Sequence, residues 1–486
     1  MAAPTGDVFY ATIGELSRRL RAKEFSAVEL TRAFCDRLES IGAEHHALAH
    51  SLRATALKKA KDVDGDLKRD RMRGPLQGIP YGAKDLFAVK KQPTTWGSRI
   101  FVNQIFEEDA AVVQKLDKAG AILIGKLAMV ELAGGVGYRT SAASLTGAAL
   151  NPWDRTRWAG GSSSGSGVAV AAGLATFALG SETSGSIITP SAFCVVTGFR
   201  PTYGLVSRRG AMALAWTLDK IGALCRSAED CGLVLHEIAG SDAEDPGSAH
   251  KGFTYAPQFD RNVSDFTVGY SPADFREVSS DSRQAFDGAF EVVKKLGVKL
   301  KEVSLPDFPY SGLIETIIGA EAASIFEDII RSGQVDQLAD STQAASLKAA
   351  IDIPAVDYLK AMRIRGRLRQ AFRELFYNVD MLLAPARTAP APPVGTSLGG
   401  GRMSPAARGQ NDIIPAGNLA GLPAISLPCG FAGGLPVGIS FVGRAFFDNQ
   451  VIGMGRAFQS QTDWHRRKPS LATASLPTPP QQPQHA

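Results

Sequence analysis

Two short clusters of serine and glycine are the residues of this chain that could do chemistry together. The first covers residues 160–167 (GGSSSGSG) and the second residues 181–186 (SETSGS). Glycines permit positive φ angles and close approach of a ligand, so several backbone N–H groups can converge on one point, where the serines supply hydroxyl groups. Residues 168–179, between the clusters, are apolar and predict a tightly packed helix inside a core. A linker would be polar throughout, so this pattern indicates a site.

One rival interpretation makes Ser163 the nucleophile. Residues 161–165 satisfy G-x-S-x-G, the elbow motif of α/β-hydrolases. That motif needs a preceding strand, whereas residues 151–155 (NPWDR) predict a turn. It also needs a histidine, and His236 and His465 are the only downstream candidates within predicted structure. This interpretation is therefore the weaker one.

Other motif matches carry less weight still. Residues 248–251 (SAHK) match S-x-x-K but fall in a polar loop, and the serine-rich clusters lack the G-K-[ST] ending of a phosphate-binding loop. The sequence contains no H-E-x-x-H or similar cluster of metal ligands. We therefore expect no metal and no cofactor.

The stretch from residue 160 to residue 204 resembles the hallmark of the amidase signature family. That hallmark is a G-G-S-S-G-G-S run, an alanine-rich helix and a T-D-T-G-G-S-I-R-x-P-A segment; this chain reads GGSSSGSGVAVAAGLATFALGSETSGSIITPSAFCVVTGFRPTYG. Residues 78–85 (GIPYGAKD) are similar to the family's G-I-P-x-x-x-K-D segment, and the similarity extends over about residues 10–468. The resemblance implies an α/β fold, with a central mixed β-sheet covered by α-helices on both faces.

The resemblance also implies a catalytic triad. By motif position, Ser186 is the nucleophile, Ser162 is the bridging serine in a cis peptide, and Lys84 is the base. A lysine acts as a base only when it is neutral, and burial favours the neutral form. A neutral Lys84 could take the proton of Ser162 while Ser162 takes that of Ser186, a relay without histidine.

Acyl transfer further requires donors for the oxyanion. The resemblance assigns this role to four successive backbone N–H groups, those of Thr183, Ser184, Gly185 and Ser186. It also implies that Ala133 and Gly134 line the substrate pocket through their backbone.

Three positions near the triad depart from the family pattern. Ser184 replaces the usual glycine, Ile188 stands where arginine is common, and Glu182 replaces the usual aspartate. None of these changes removes a triad group. Ser184 and Ile188 alter the edge of the site, and therefore place the substrate specificity in question rather than the catalysis.

These features predict an amidase that hydrolyses a carboxylic amide C–N bond, or a related carbamate (urethane) or ester, through an acyl-enzyme on Ser186. The apolar residues at 133–136, 187–188 and 413–414 favour an apolar or aromatic substrate. The alternative is the glutaminase (A) subunit of a tRNA-dependent amidotransferase, which works only within a partner complex. Such subunits usually keep Gly-Gly-Ser where this chain has residues 184–186 (SGS).

Composition and charge narrow the partners that we expect. Of 486 residues, 44% are hydrophobic and 21% charged, and a net charge of +5 from 53 basic and 48 acidic residues is spread along the chain. No nucleic-acid face is therefore predicted. We expect a stand-alone enzyme with a small-molecule amide or carbamate substrate. We expect no nucleic acid and no membrane partner, and the enzyme could form a homodimer.

Five scattered cysteines and the absence of a signal-peptide pattern favour buried thiols and a cytoplasmic location.

Local signals predict the elements that position these residues. Capping boxes at Thr12 and Ser26 predict the starts of two helices, and a third is expected over about residues 52–63. Residues 78–89 predict a strand that carries Lys84, and helices and strands then alternate, as in an α/β fold with a buried sheet.

The domain organisation follows from the extent of the resemblance. We expect one amidase-signature domain over residues 1–470, with a family-like core at about 77–235 and a variable region at about 245–410 that shapes the substrate pocket. The Pro/Gly-rich loop at 388–409 could act as a lid. The Pro/Gln-rich tail at 471–486 is predicted to be disordered.

Overall fold

The computed structural model describes residues 4, 6–256, 262–276, 278–398 and 413–471. Thr12 and Ser26 cap the first two helices, as predicted: in each capping box the hydroxyl accepts a hydrogen bond from the backbone N–H three residues on, and the glutamate there accepts one from the cap N–H. Each such cap contributes about 1 kcal/mol. The two helices form the start of an N-terminal layer.

Thirteen β-strands occur in the described residues. They are β1 (Leu48–Ser51), β2 (Pro80–Lys84), β3 (Ile122–Leu127), β4 (Leu150–Asn151), β5 (Asp154–Trp158), β6 (Phe177–Glu182), β7 (Thr197–Arg200), β8 (Lys220–Cys225), β9 (Thr267–Tyr270), β10 (Lys299–Glu302), β11 (Met381–Pro385), β12 (Ala424–Ala432) and β13 (Leu435–Gly443). Eleven of them form one sheet, in the order β1-β3-β2-β6-β8-β7-β12-β13-β11-β9-β10, and β4 and β5 form a separate hairpin.

Fifteen α-helices occur in the same residues. They are α1 (Ile13–Arg21), α2 (Ala27–Glu44), α3 (Arg53–Lys68), α4 (Ala111–Lys118), α5 (Ser164–Ala171), α6 (Ile188–Cys194), α7 (Ala228–Ile238), α8 (Pro272–Arg276), α9 (Ser280–Lys295), α10 (Tyr310–Ile325), α11 (Glu327–Arg331), α12 (Ser341–Ala350), α13 (Ala355–Leu375), α14 (Ile413–Ala420) and α15 (Asp448–Ser460). In the described part of the chain, none of the helices combines the length and the hydrophobicity that a bilayer-spanning segment requires.

The predicted α/β fold is confirmed, with helices on both faces of a mixed sheet. Every residue of β2, β7, β8, β11 and β13 is buried. Because successive side chains of a strand point to opposite faces, a strand buried at every position must be covered on both sides. All five cysteines are buried and unpaired, as expected.

Three neighbouring parallel strands determine where the site lies. β2 pairs in parallel with β3 on one side and with β6 on the other. The carboxyl ends of parallel strands lie at one edge of a sheet, where open α/β sheets bind ligands. Lys84 ends β2, the loop that contains Ala133 follows β3, and the loop that contains Ser186 follows β6. The sheet therefore collects the predicted site residues at a single edge.

Two local predictions were wrong. Residues 168–179 do not form one helix, because α5 ends at Ala171 and β6 begins at Phe177. Gly173 lies in the turn between them at φ +65°, where a Cβ would come within 2.9 Å of the Phe9 carbonyl oxygen. The tight turn, rather than the apolar composition, limits the helix. Residues 151–155 are also not a turn alone, since they contribute to the β4–β5 hairpin.

The C-terminal predictions are covered only in part. The structure describes residues 388–398 of the expected lid loop, whereas residues 399–409 lie outside the described residues, as does the tail from 472 onward. The extent of the domain stays a prediction.

Candidate active site

Lys84 is fully buried at the end of β2. Its Nζ lies 2.7 Å from Ser162 Oγ and 2.9 Å from Ser181 Oγ. Burial lowers the pKa of Lys84 from 10.5 to about 7, and the negative charges of Asp219 and Glu182 oppose that shift only partly. Near neutral pH a large fraction of Lys84 is therefore an uncharged amine, in contact with a serine hydroxyl.

Ser162 follows a cis peptide bond with Gly161 and precedes α5. A Cβ at Gly161 would lie 2.7 Å from a methyl carbon of Val130, so the chain passes too close to its neighbour for any other residue. The Ser162 carbonyl accepts a hydrogen bond from the Val130 N–H at 3.1 Å. These contacts hold Ser162 Oγ against Lys84.

Ser186 lies in the short loop between β6 and α6. Its carbonyl accepts a hydrogen bond from the Ser163 N–H at 3.3 Å, which joins the two serine-rich clusters directly. In the part of the chain that the structure describes, no hydrogen bond links the Ser162 and Ser186 hydroxyls. The structure nevertheless places Lys84, Ser162 and Ser186 in one region.

The loop presents four backbone N–H groups without acceptors. Among the described residues, the N–H groups of Thr183, Ser184, Gly185 and Ser186 donate no hydrogen bond to protein. Gly185 has φ +87°, a left-handed conformation that permits the tight turn. Unpaired N–H groups beside a serine are the donor set that a tetrahedral oxyanion needs.

Glu182 fixes the position of the loop that contains Ser186 through hydrogen bonds of its carboxylate. Its Oε2 accepts hydrogen bonds from the N–H groups of Ile187 and Ile188 at 2.8 and 3.0 Å, and its Oε1 contacts Arg200 Nη1 at 2.7 Å and Asn418 Nδ2 at 2.9 Å. Burial by itself raises the pKa of Glu182, but the Arg200 charge and these hydrogen bonds outweigh it and lower the pKa to about 2. The carboxylate therefore stays charged at physiological pH.

Asp219 holds the other side of the loop. Thr183 Oγ1 donates a hydrogen bond to Asp219 Oδ1 at 2.5 Å, and the N–H groups of Leu214 and Ala215 donate to Oδ2 at 2.8 and 3.0 Å. Burial raises the pKa of Asp219, and the hydrogen bond from Thr183 opposes this. Two buried carboxylates thus brace the segment that contains Ser186.

Ala133 and Gly134 lie in a backbone segment of unusual conformation. Four successive residues, from Leu132 to Gly135, have positive φ angles of 48°, 55°, 102° and 49°. The non-glycine residues among them cost about 1–2 kcal/mol each. The segment is held by hydrogen bonds from the Leu132 N–H to the Trp96 carbonyl at 2.9 Å and from Gln343 Nε2 to the Glu131 carbonyl at 2.9 Å. Such strain is typical of segments that contact ligands.

A cavity of about 610 Å³ opens beside Ser186. Its described lining includes apolar and aromatic side chains as well as the predicted site residues: Ala133, Gly134, Gly135, Gly137, Tyr138, Trp158, Gly161, Thr183, Ser184, Ser186, Thr189, Phe193, Leu214, Ile318, Arg387, Pro392, Ser397 and Leu398. Residues 392–398 belong to the loop that we expected to lie over the site.

No histidine occurs in the described lining of this cavity, so the elbow mechanism through Ser163 has no general base here. Ser163 Oγ instead donates a hydrogen bond to the Ser181 carbonyl at 3.2 Å.

Sequence reasoning missed three contributors to this site. Ser181 contacts Lys84, Glu182 organises the loop, and Arg387 projects a charge into the cavity. Arg387 had a signal in the sequence, because it lies two residues after the apolar strand β11, where a charged side chain is unusual. Among the described residues, no group of three or more His, Cys, Asp or Glu side chains is placed to hold a metal ion.

Known proteins resemble this chain along nearly its whole length. The Amidase family pattern matches residues 29–452. The A subunit of glutamyl-tRNA(Gln) amidotransferase from Carboxydothermus hydrogenoformans is 36% identical over 96% of this chain and 100% of that protein. The solved structure of the same subunit from Thermotoga maritima superimposes with a TM-score of 0.76 at 28% identity, covering 94% of this chain and 96% of that one. Peptide amidase from Stenotrophomonas maltophilia superimposes with a TM-score of 0.82 at 27% identity, covering 95% and 99%.

These relatives correct one prediction. The expectation of a stand-alone enzyme with a small-molecule substrate and no nucleic-acid partner was wrong, because a relative 36% identical over its full length is a subunit of an enzyme named for a tRNA. The net charge of a chain is a weak guide to such a partner, because one subunit of an assembly needs no basic face when another subunit binds the nucleic acid. The family, in contrast, is settled by the match over most of the sequence: this chain belongs to the amidase signature family.

Proposed function

We propose that this chain hydrolyses the side-chain amide of glutamine through an acyl-enzyme on Ser186, as the glutaminase component of a tRNA-dependent amidotransferase. The observation that carries the chemistry is the 2.7 Å contact between buried Lys84 and Ser162, beside a loop of free backbone N–H groups. The likeness of the whole chain to the corresponding component of glutamyl-tRNA(Gln) amidotransferase supports the choice of glutamine.

Acylation begins with proton transfer. Neutral Lys84 takes the proton of Ser162 as Ser162 takes that of Ser186, and Ser186 Oγ attacks the amide carbon. A base with a pKa of about 7 suits this step, because it is both substantially deprotonated and basic enough to accept the proton at neutral pH. Ser162 is needed as a bridge because the lysine contacts Ser162 rather than the nucleophile.

The negative charge then develops on the former carbonyl oxygen. The N–H groups of Thr183, Ser184, Gly185 and Ser186 are free to receive it, and loss of one donor of this kind typically costs about 10²–10³ in rate. Glu182 and Asp219 keep the loop in place without contributing a donor themselves. The donors are therefore arranged before the substrate arrives.

Collapse of the tetrahedral intermediate breaks the C–N bond. The proton held by Lys84 returns through Ser162 to the nitrogen, and ammonia leaves. Water then attacks the acyl-enzyme by the same relay and releases glutamate. In an amidotransferase the ammonia passes to a different subunit instead of being lost to solvent.

A second candidate is an amidase that acts on another carboxylic amide. It is favoured by a specific observation: the peptide amidase structure superimposes more closely than the Thermotoga protein, with a TM-score of 0.82 against 0.76. Ser184, where glutaminase subunits usually have glycine, points the same way. Aryl amides, carbamates and esters belong to this candidate.

Ammonia release by the purified chain separates the two candidates. Glutamine, a C-terminal peptide amide, an anilide and an aryl carbamate are tested with the chain alone and with the other amidotransferase subunits of its source and charged tRNA, and Ser186→Ala serves as the control. Glutamine turnover that increases with those partners supports the proposal. Turnover of the other amides with no action on glutamine in either setting would overturn it in favour of the second candidate.

A further inference from the structure

Among the described residues that line the cavity beside Ser186, Arg387 is the one with a charged side chain. It lies two residues beyond the end of β11 and lines the same cavity as Ser186. A guanidinium carries five N–H donors in a rigid fork and remains charged in proteins. Burial lowers the pKa of Arg387, while nearby Tyr138 and Glu182 oppose the shift.

The guanidinium is fixed to the turn that contains the nucleophile. Arg387 Nε donates a hydrogen bond to Thr189 Oγ1 at 2.9 Å, and Nη2 contacts the same oxygen. The Thr189 N–H in turn donates to the Gly185 carbonyl at 2.8 Å. A Cβ added at Gly185 would lie only 2.9 Å from Arg387 Nη2, so the guanidinium lies directly against the residue before Ser186.

This charge lacks a counter-ion within the described structure. Among the described residues, Arg387 forms no ion pair, and the lining of the cavity contains no aspartate or glutamate. Its only hydrogen-bond acceptor there is the Thr189 hydroxyl, which leaves both Nη1 donors unused. An unpaired charge beside aromatic and aliphatic walls is unfavourable, and a carboxylate fits the planar fork with two parallel hydrogen bonds.

We propose that Arg387 is a specificity-determining residue that binds a carboxylate group of the substrate, so that the enzyme selects amides that carry a carboxylate. This inference rests on the proposed amide hydrolysis at Ser186. For glutamine, the group bound would be the α-carboxylate. The aromatic walls of the cavity would then contact the aliphatic part of the substrate.

The kinetic test compares two amides that differ in one charge. Glutaramate carries a carboxylate and an amide, and glutaramide replaces that carboxylate by a neutral amide of the same shape. We expect Arg387→Met to lower kcat/KM for glutaramate and glutamine by about 10²-fold more than it lowers kcat/KM for glutaramide, because only the first two substrates lose a charged partner. Arg155→Met serves as the matched control, because Arg155 is a half-exposed arginine that pairs with Glu44 at the surface.

A binding test gives a readout that does not depend on turnover. In the Ser186→Ala background, glutarate should bind and raise the melting temperature, and the addition of Arg387→Met should abolish that shift. Arg387→Lys should retain part of it, because lysine keeps the charge but loses the fork. Circular dichroism of each variant establishes that it is folded.

The outcomes distinguish the two proposals. If Arg387→Met slows glutaramide and glutaramate equally, or if glutarate binds that variant as tightly as the parent, the role of Arg387 is overturned while hydrolysis at Ser186 stands. If Ser186→Ala retains activity, the proposed function fails, and the glutarate experiment still decides whether Arg387 binds carboxylates.

Discussion

Glu182 and Arg200 form a fully buried ion pair, 2.7 Å between Oε1 and Nη1, directly beneath the loop that contains Ser186. The other carboxylate oxygen of Glu182 accepts two backbone hydrogen bonds from the start of α6. The pair therefore connects the sheet to the turn that contains Ser186. It links the stability of the fold with the geometry of the N–H groups that we propose as oxyanion donors.

Removal of Glu182 should destabilise the protein and impair catalysis together. Glu182→Ala leaves Arg200 as an unpaired buried charge, which costs about 3–5 kcal/mol, and frees the loop. Because the pKa of Glu182 is lowered to about 2, its stabilising contribution is complete above pH 4.5 and is lost as the pH falls from 4.5 towards 2. Urea unfolding of the wild type and of Glu182→Ala at pH 7 and pH 3.5 measures both effects; a difference that does not shrink at pH 3.5 would contradict the assignment.

The rate of hydrolysis should follow the titration of Lys84. Because only the neutral amine can accept a proton, kcat/KM should rise tenfold per pH unit below about 7 and level off above it. The measurement uses a neutral amide, so that the substrate does not titrate in this range. A profile that stays flat from pH 5.5 to 9 would exclude a lysine base with a pKa near 7.

The same buried lysine should cost stability. The unfolded chain protonates Lys84 below pH 10.5, whereas the folded chain does so only below about 7, so the wild type loses stability as the pH falls between those values. Lys84→Met removes this dependence and should raise the free energy of unfolding at pH 8 by up to about 3 kcal/mol, while abolishing activity. Thermal unfolding at pH 8 and pH 10 checks it, and a variant that is less stable than the wild type at pH 8 would be evidence against a neutral, buried Lys84.

The sequence supported some of these conclusions and could not support others. Lys84, Ser162 and Ser186 were assigned by motif position, and the sheet brings them together because β2 and β6 are parallel neighbours. The signals that succeeded are local, such as the capping box at Thr12.

The features that sequence reasoning missed depend on contacts between distant segments. Arg387 meets Thr189 across 198 residues of chain, and Glu182 meets Asn418 across 236. No periodicity or spacing predicts such contacts. The end of α5 at Ala171, in contrast, had a local signal, because Gly173 follows the C-cap residue Ala172 with φ +65°, as at many helix ends.

The two serines of the relay should differ in how much activity their loss removes. Ser186→Ala should leave no measurable turnover, because the acyl-enzyme cannot form. Ser162→Ala should lower kcat by about 10²–10⁴-fold, the usual contribution of a proton-transfer group. Ser164→Ala is the matched control, since the one hydrogen bond of Ser164 Oγ among the described residues is to the Ala128 carbonyl, at 3.4 Å. Steady-state ammonia release measures all three, and near-normal activity of Ser162→Ala would mean that Lys84 reaches Ser186 without it.

Gly185→Ala should reduce activity by a different route. Gly185 has φ +87°, which costs a residue with a side chain about 1–2 kcal/mol, and the new methyl group would lie 2.9 Å from Arg387 Nη2. Both effects displace an oxyanion donor and the guanidinium, so kcat/KM should fall by at least about 10²-fold, the cost of one lost donor. Gly137→Ala, at φ +113° on the same cavity but with no atom within 4 Å of the added Cβ, is the control for backbone strain alone. If the two variants lose activity equally, strain alone explains the loss, and the close approach of Arg387 to Gly185 has no catalytic consequence.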